Sequence, residues 1–408
     1  MFKFIKLAFK NVFRNRRRTI ITGLVLVFGA TALILAGGFT SFTFRGLRES
    51  TIRGQLGHIQ IYHKDYFQSE EEKPLQFGLD NVQELKKIIL TQNHVRFTMA
   101  RIEFSGLLSN GDKSAVFLGR GVEPEKESKL TGFALNVDTG KFLGENLQNE
   151  TESEVIVARG LAKTLKAKVG DYLTLMTTTS KGALNAMDVK VVGIYSTGIP
   201  EYDERALMVD LHSAQQLLVT QKVSKLVVVL DETEKTQEVA SALDKLLPNT
   251  VSKRWDELAT FYKAVVQLYN SIFAFLGVII FVIVVLSSSN TMMMSIFERT
   301  KEIGTQLAVG TSRVRLLMNF LYEGLVIGIL GGGLGLIIAL GLSLLINYSG
   351  MTMPPPPGFT NGYPLFVDLV PLIFVGVFLL IMTTTVLSTI IPAFKASRMK
   401  IVDALGHI

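Results

Sequence analysis

The chain has 408 residues, of which 48% are hydrophobic and 19% are charged, and its mean hydropathy is +0.35. The charged fraction lies below the ~25% of ordinary soluble domains, so the composition excludes a fully soluble globule as well as a disordered chain. The formal charge of +7 is concentrated at the ends of apolar runs, which is typical of membrane flanks and not of a nucleic-acid-binding domain. The lack of cysteine excludes disulfides, thiolate metal sites and cysteine nucleophiles.

Four apolar segments predict four membrane-spanning helices, because a span needs about 20 predominantly apolar residues. They cover residues 19–44, 266–292, 316–346 and 366–391. The first segment is interpreted as an uncleaved signal anchor. Its cleavage-like tripeptide, Ala30-Thr31-Ala32, lies in the middle of the apolar run, where cleavage would leave an exposed apolar stub.

Positive charge on the short flanks predicts which side of the membrane each flank occupies. Residues 1–18 hold seven Lys or Arg and no acid, residues 293–315 hold four, and residues 392–408 hold three. The loop at 347–365 holds none. Because Lys- and Arg-rich flanks stay in the cytoplasm, both termini and the 293–315 loop are predicted to be cytoplasmic, and residues 45–265 extracytoplasmic.

Residues 45–265 alternate short β-rich runs with amphipathic helical patterns, which indicates an ordered domain and not a linker. The predicted strands are Gly57–Tyr62, Ser114–Gly119, Glu154–Ala158, Tyr172–Met176, Asp188–Tyr195, Ala206–Val209 and Leu226–Leu230. The predicted helices are Val82–Leu90, Arg159–Leu165, Leu211–Val219 and Glu234–Leu246. The predicted fold class is therefore an α-helical membrane protein with four transmembrane helices (1+3) and a large α+β extracytoplasmic domain inserted between helices 1 and 2.

The inserted segment carries no recognisable catalytic motif. Residues 139–141 are similar to the end of a phosphate-binding loop, but Leu135 stands where the first glycine belongs. Phe142 also replaces the hydroxyl residue that would hold magnesium. No catalytic residue, metal ligand or cofactor-binding residue is predicted in the chain.

The loop after the second span predicts a short charged helix. Glu298 and Glu302 lie one helical turn apart, as do Arg299 and Glu302, and Ile303 begins an apolar strip with Leu307. A short amphipathic helix of this kind can dock into a groove of a soluble partner. On the residues alone, a solvated turn between two spans is the favoured interpretation.

The string Glu298-Arg299-Thr300-Lys301-Glu302-Ile303-Gly304, with Ala308 and Gly310 after it, resembles the coupling-helix region of ABC-transporter permeases of the FtsX/MacB/LolC–LolE superfamily (type VII). Other parts of the chain resemble the family at the same relative places: the basic Asn11–Arg18 start, Glu154–Leu175 with Val169-Gly170-Asp171, and the ending Ile391–Lys400 with Asp403-Ala404-Leu405. Ile401-Val402 replace a proline that is usual in the family's tail. The layout is nearest to the lipoprotein-releasing LolC/LolE-type permeases.

The resemblance implies a permease of the bacterial inner membrane that pairs with a second permease, identical or paralogous, and binds a cytoplasmic ABC ATPase. ATP and Mg would bind to that ATPase, so the chain itself is expected not to be an enzyme and to hold no cofactor. A periplasmic carrier or accessory protein is a further candidate partner, and nucleic acid is not. The implied coupling residues are Glu298, Arg299, Lys301, Glu302, Ile303, Gly304, Ala308 and Gly310, with Glu298 and Glu302 facing basic groups of the ATPase.

The first functional hypothesis is ATP-driven extraction or export of a lipoprotein- or lipid-type substrate from the periplasmic side. MacB-like export of peptides or small amphiphiles is the near alternative, and FtsX-like regulation of a cell-wall hydrolase without transport is another. Phe39, Phe42 and Phe44 lie at the outer end of the first span. They are candidates to line an entrance for acyl chains, although lipid contact or helix packing is the favoured interpretation.

Small residues in the third span predict close helix packing. Gly328, Gly331, Gly332 and Gly335 form two G-x-x-x-G pairs, which suit either a seam within the chain or one against a second permease.

Glu323, about one turn into the third span, is an ionisable group at membrane depth and hence a candidate functional residue. Snorkelling to the cytoplasmic surface, or pairing with Arg313 or Arg315, accounts for it at least as well. The proline run Pro354–Pro357 predicts a stiff outer loop, either a spacer or a rim of the external domain.

Overall fold

The computed structural model describes residues 2–14, 16–68, 75–131, 136–144, 152–354 and 362–405. Within these ranges the helices are α1 (Phe2–Arg14), α2 (Arg16–Thr51), α3 (Val82–Leu90), α4 (Pro124–Thr131), α5 (Arg159–Leu165), α6 (Pro200–Asp203), α7 (Leu211–Leu218), α8 (Thr236–Leu246), α9 (Trp255–Leu258), α10 (Thr260–Glu298), α11 (Thr300–Ala308), α12 (Arg313–Ser349), α13 (Pro371–Ser397) and α14 (Ile401–Leu405). Most of the proline run, and Leu135, lie outside the described residues.

The strands are β1 (Ile59–His63), β2 (Val95–Ser109), β3 (Ser114–Val122), β4 (Asn136–Gly140), β5 (Glu154–Ala158), β6 (Tyr172–Thr178), β7 (Leu184–Ser196), β8 (Ala206–Asp210), β9 (Lys225–Leu230), β10 (Thr250–Arg254), β11 (Thr352–Met353) and β12 (Tyr363–Pro364). The chain divides into two units. The membrane unit comprises Met1–Arg45, Val265–Met353 and Pro364–Ile408, and the inserted domain comprises Gly46–Ala264 with Pro354–Tyr363.

Among the described residues, four helices are long and apolar enough to cross a membrane: α2, α10, α12 and α13. The inserted domain is the segment between α2 and α10, and it contains both helices and strands. This arrangement confirms the predicted fold class, with one long helix before the domain and three after it.

Two apolar clusters hold the helices of the membrane unit together. In the first, Leu26 and Ala30 of α2 meet Val284 of α10, Ile327 of α12 and Ile381 of α13. The second joins the last turns of α10 to α11, to the start of α12 and to the end of α13. Each long helix contributes to one cluster or both, so apolar packing within the chain fixes how these helices cross.

The glycines of α12 allow two different helices to approach it closely. A Cβ atom at Gly331 would lie 2.7 Å from Leu26 Cβ, and one at Gly335 would lie 2.6 Å from Ala30 Cβ, both on α2. Gly328 and Gly332 instead face α13, where added Cβ atoms would lie 3.2 Å and 3.1 Å from the nearest atoms. All four glycines therefore pack within the chain, against α2 on one side and α13 on the other.

Gly335→Ala is expected to lower the free energy of unfolding of the membrane unit by about 1–3 kcal/mol, because the new methyl group overlaps Ala30 in a packed seam. Gly333→Ala is the matched control, since a Cβ there meets nothing within 4 Å and the gain in helix propensity is the same. Thermal unfolding in detergent should separate the two variants, and equal midpoints would contradict the packing described for Gly335.

The inserted domain is built on a mixed sheet, which within the described residues has ten strands in the order β10-β1-β9-β2-β3-β8-β5-β7-β4, with β6 paired to both β2 and β7. The β3/β8 and β5/β7 pairs are parallel, and the other strand pairs of the described sheet are antiparallel. Parallel neighbours need crossover connections. α5 lies in the segment between β5 and β7, and α4, α5 and α6 lie in the longer segment between β3 and β8.

Each face of this sheet is covered differently. On one face, strand residues such as Ile61 and Leu226 form a large apolar core with α3, α5, α7 and α8. On the other face, Met99 and Val227 pack against Leu130 of α4 in a smaller cluster. The alternation of side chains along each strand produces these two layers.

A buried ion pair joins the second face to α4. The guanidinium of Arg101 on β2 donates to both carboxylate oxygens of Glu127, at 2.9 Å from Nε and 2.6 Å from Nη2. The two side chains are 1% and 0% exposed. Burial of two charges is tolerated only with this bidentate geometry, which satisfies both groups at once.

The chain enters and leaves the inserted domain through neighbouring strands. β1 and β10 are antiparallel, with Ile59 opposite Arg254. Beside this pair, the backbone N–H of Trp255 donates to the carbonyl oxygen of His58 at 3.0 Å. A small apolar cluster at the same end contains Ile52 and Trp255.

Candidate coupling site

The sequence around α11 divides what would otherwise be one long helix into three. Arg299 is the single residue between α10 and α11, and its φ of −110° and ψ of 15° interrupt the helical path. At the other end Gly310 has a φ of 95°, in the left-handed region that favours glycine. Ser312 then caps α12 by accepting a hydrogen bond from the Arg315 N–H at 3.3 Å.

α11 has a buried side and an exposed side. Ile303 is 3% exposed and packs with Leu316 and Phe320 of α12, and Gly304 is buried beside it. α12 and α13 thus cover the apolar strip within the chain, and the expected contact of Ile303 and Gly304 with an ATPase stays a prediction. The exposed residues of this segment are Lys301, Thr305, Gln306, Ala308, Val309 and Gly310.

Both acidic residues of the predicted coupling helix form ion pairs within the chain. Arg14 of α1 lies 2.7 Å from Glu302, and Arg18 of α2 lies 2.5 Å from Glu298. The hydrogen bond from Arg14 holds the pKa of the Glu302 carboxyl below its ordinary value. All four side chains are partly exposed to solvent, so these pairs add little stability but set where the positive charge of the N-terminal segment lies.

Glu323 is buried in α12 and has two donors. Asn11 Nδ2 donates to Glu323 Oε1 at 2.6 Å, and Arg299 Nη1 donates to the same oxygen at 2.9 Å. Its donors are thus not Arg313 or Arg315, both of which are exposed at the start of α12. At about 1.5 Å of rise per residue, both arginines lie more than two helical turns from Glu323 along α12. Arg299, at the break between α10 and α11, lies close enough to Glu323 to donate to it.

The three candidate entrance residues lie half-buried on α2. The Phe42 ring lies 5.1 Å from that of Phe366, and the Phe44 ring lies 6.0 Å from that of Tyr269. Asp368 precedes α13 and forms an ion pair with Arg45. Phe42 and Phe44 therefore pack against aromatic rings of this chain, and Phe39 lies on the same helix.

Sequence reasoning missed the residues of α1 that reach this site. Arg14 and Arg18 count in the sequence as membrane-flanking charge and Asn11 as the beginning of the family-like basic start. Yet Asn11 and Arg14 lie on α1, which packs against α12 through Ala8 and Val12. The i, i+4 spacing of Ala8 and Val12 is the signal that could have predicted that helix.

The inserted domain has a separate open groove of about 650 Å³. Arg159, Lys163 and Arg205 give its rim positive charge, and Arg159 is held by Asp138 at 2.5 Å. Asp203 lies in the same groove but is buried and hydrogen-bonded to Ser196. Among the described residues, no three His, Asp or Glu side chains are close enough together to hold a metal ion.

Comparison with known protein families gives two matches that together span most of the chain. Residues 19–246 match the MacB-like periplasmic core domain, and residues 274–401 match the FtsX-like permease C-terminal family. The first match alone covers more than half of the chain, and the second includes α11.

Individual relatives are similar at low identity. An uncharacterized ABC transporter permease of Bacillus subtilis, YvrN, is 24% identical over 100% of both chains. The lipoprotein-releasing system transmembrane protein LolE of Haemophilus influenzae is 23% identical over 78% of each chain. A macrolide export ATP-binding/permease protein MacB of Bdellovibrio bacteriovorus is 26% identical over 51% of this chain and 34% of its own length. With a membrane unit, an inserted domain and both family matches in place, the chain belongs to the FtsX/MacB-like family of ABC-transporter permeases.

Proposed function

We propose that this chain is the permease subunit of an ABC transporter that couples ATP hydrolysis by a separate cytoplasmic ATPase to extraction or export of a lipoprotein- or lipid-type substrate. In this proposal both termini and α11 lie on the cytoplasmic side of a bacterial inner membrane, and the inserted domain works outside. The chain acts in a pair with a second permease, and ATP and Mg bind to the ATPase.

The observation that carries the proposal is the form of α11. It is a short helix whose apolar side is anchored within the chain and whose other side, including Lys301, Thr305 and Gln306, is exposed. Val309, just after it, is 83% exposed. A rigidly mounted helix with an exposed face and an apolar tip is suited to insertion into a groove of another protein.

The names of the relatives, and the share of each that this chain covers, support an ATPase supplied by another chain. The MacB relative is named as an ATP-binding/permease protein, and this chain covers only 34% of it. The YvrN and LolE relatives are named as a permease and a transmembrane protein, and this chain covers 100% and 78% of them. The present chain therefore corresponds in extent to the relatives that are named without an ATP-binding part.

The docking role of α11 is tested with Val309→Asp in the full chain, co-expressed with its ATPase. We expect affinity for the ATPase to fall about tenfold or more, because a charged side chain replaces the exposed apolar side chain that would contact the ATPase. Val116→Asp is the matched control, since Val116 is an exposed valine of the inserted domain. Co-purification measures both, and unchanged binding by Val309→Asp would exclude this surface.

Glu298→Lys/Glu302→Lys is a second test of the same site, but it also opposes Arg18 and Arg14 with like charge. We expect it to abolish partner-dependent activity while the chain still inserts into the membrane. Wild-type activity of this double variant would reject the coupling role.

The lipoprotein substrate is supported by the LolE relative and is tested by depletion of the chain from cells. Retention of acylated lipoproteins in the inner membrane is the expected result, and normal sorting would exclude this substrate. The match to the MacB-like periplasmic core domain favours a second candidate, export of peptides or small amphiphiles. Normal lipoprotein sorting combined with increased sensitivity to such compounds would select that second candidate.

A further inference from the structure

A closed ring of polar contacts ties the start of α11 to two other helices of the membrane unit. Asn11 of α1 and Arg299 both donate to Glu323 of α12, at 2.6 Å and 2.9 Å. Arg299 Nε also lies 3.4 Å from Glu302 of α11, and Glu302 pairs with Arg14 of α1 at 2.7 Å. The ring thus passes from α1 to α12, to the α10–α11 break, to α11 and back to α1.

The contacts in the ring differ in their exposure to solvent. The Glu323 side chain is 5% exposed and the Arg299 side chain 14%, whereas Glu302 and Arg14 are 43% and 57% exposed. Solvent and salt weaken exposed pairs, and buried pairs are screened much less. The contact between Glu323 and Arg299 is therefore the persistent part of the ring, and the pair between Arg14 and Glu302 is its labile part.

The position of Arg299 gives this contact a mechanical consequence. Arg299 is the single residue at which the path changes direction between α10 and α11, so whatever holds its side chain also fixes how α11 leaves α10. One turn later Ile303 packs against Leu316 and Phe320 of α12. The ionic contact and the apolar contact both attach α11 to α12, one on each side of the first turn.

We propose that Glu323 is a positioning residue that fixes α11 to α12 through Arg299, so that a displacement of α11 is passed directly into α12. The proposal rests on the proposed function, because the displacement would come from an ATPase docked on α11. α12 packs on α2 through Gly331 and Gly335, so the same displacement reaches the first long helix. Glu323 thus transmits motion and contacts neither nucleotide nor substrate.

The test measures the distance between α11 and the far end of α12 in the full chain in lipid nanodiscs. Because the chain lacks cysteine, spin labels can be placed at Thr305→Cys and Tyr348→Cys, both exposed positions. We expect a narrow distance distribution in the otherwise unchanged chain and a clearly broader one with Glu323→Gln. The exposed Arg313→Gln, on the first turn of α12, is the control and should keep the narrow distribution.

A second variant separates loss of the link from misfolding. Glu323→Gln alone leaves Arg299 buried without its main carboxylate, whereas Arg299→Gln/Glu323→Gln removes both charges and should insert normally. The double variant is still expected to give the broad distribution. A narrow distribution in the double variant, or in a folded Glu323→Gln, would overturn the proposal.

The coupled complex gives a readout that a merely structural role would not change. With the ATPase present, Glu323→Gln should bind it as the unchanged chain does, while the transport obtained per ATP hydrolysed falls about three- to thirtyfold. Loss of binding and transport together would show a structural role and overturn the proposal. If the unchanged chain failed to bind the ATPase, the proposed function would fail instead, and the label distances measured without ATPase would still decide the role of Glu323.

Discussion

Glu127→Gln is expected to lower the free energy of unfolding of the inserted domain by about 3–5 kcal/mol. The carboxylate accepts two hydrogen bonds from Arg101, and neither side chain is more than 1% exposed. After the substitution the guanidinium stays buried but loses its countercharge, and the cost of desolvating a charge is then not recovered. The pair also joins β2 to α4, so its loss should loosen the smaller core around Met99 and Leu130.

Two comparisons make this result specific. Arg101→Met/Glu127→Leu should recover most of the lost stability, because it leaves no buried charge and fills the space with apolar groups. Glu152→Gln breaks an exposed pair with Lys190 and should change stability by less than about 0.5 kcal/mol. Trp255 is the only tryptophan of the chain, so its fluorescence follows denaturant unfolding of the inserted domain. Equal midpoints for Glu127→Gln and Glu152→Gln would contradict the prediction.

The inserted domain is also expected to lose about 3 kcal/mol of stability as the pH falls from 6.5 to about 4, because His58 resists protonation in the folded state. Burial, the largest cause, lowers the pKa of His58 to about 4 from its ordinary 6.5. The backbone N–H of Leu230 donates to its Nδ1 at 3.2 Å, a bond that requires this nitrogen to be unprotonated. Between these two pH values the unfolded chain binds more protons than the folded chain, so stability decreases as the pH falls.

The variant His58→Asn should remove most of this acid sensitivity, although its stability at neutral pH is lower. His212→Gln is the control, since His212 is exposed on α7 and should keep the wild-type pH dependence. Denaturant unfolding at pH 7 and at about pH 4.5, followed by Trp255 fluorescence, gives the required comparison. An equal loss of stability in the wild type and in His58→Asn would assign the acid sensitivity to other groups.

Local patterns predicted those elements of the inserted domain whose apolar residues have regular spacing. The predictions for Glu154–Ala158, Val82–Leu90 and Arg159–Leu165 coincide with β5, α3 and α5. β2 was not predicted, because Arg101 and Glu103 interrupt its apolar alternation. Those charges are tolerated in the strand because partners distant in sequence, Glu127 and Lys225, pair with them, and no local pattern contains this information.

In the coupling site, too, the local element was predicted from the sequence and the contacts between distant residues were not. The charged helix after the second span was predicted from its own residues, and α11 occupies that segment. What covers its apolar strip within the chain could not be predicted, because the residues that bury Ile303 belong to α12 and α13. Arg313 and Arg315 were candidate partners of Glu323 by proximity in sequence, whereas the helix geometry brings Arg299 and Asn11 to it. The role of the coupling residues toward an ATPase stays a prediction.

The pairing of β1 with β10 determines which loads the inserted domain can bear. Both connections to the long helices leave from the same end of this two-stranded ribbon, where Ile59 lies opposite Arg254. A force that draws the two connections apart would break the ladder one pair at a time from that end, with the Trp255–His58 bond among the first to open. A force that moves both connections together leaves every pair of the ladder unloaded. The domain therefore withstands a joint displacement of its connections to α2 and α10 far better than their separation.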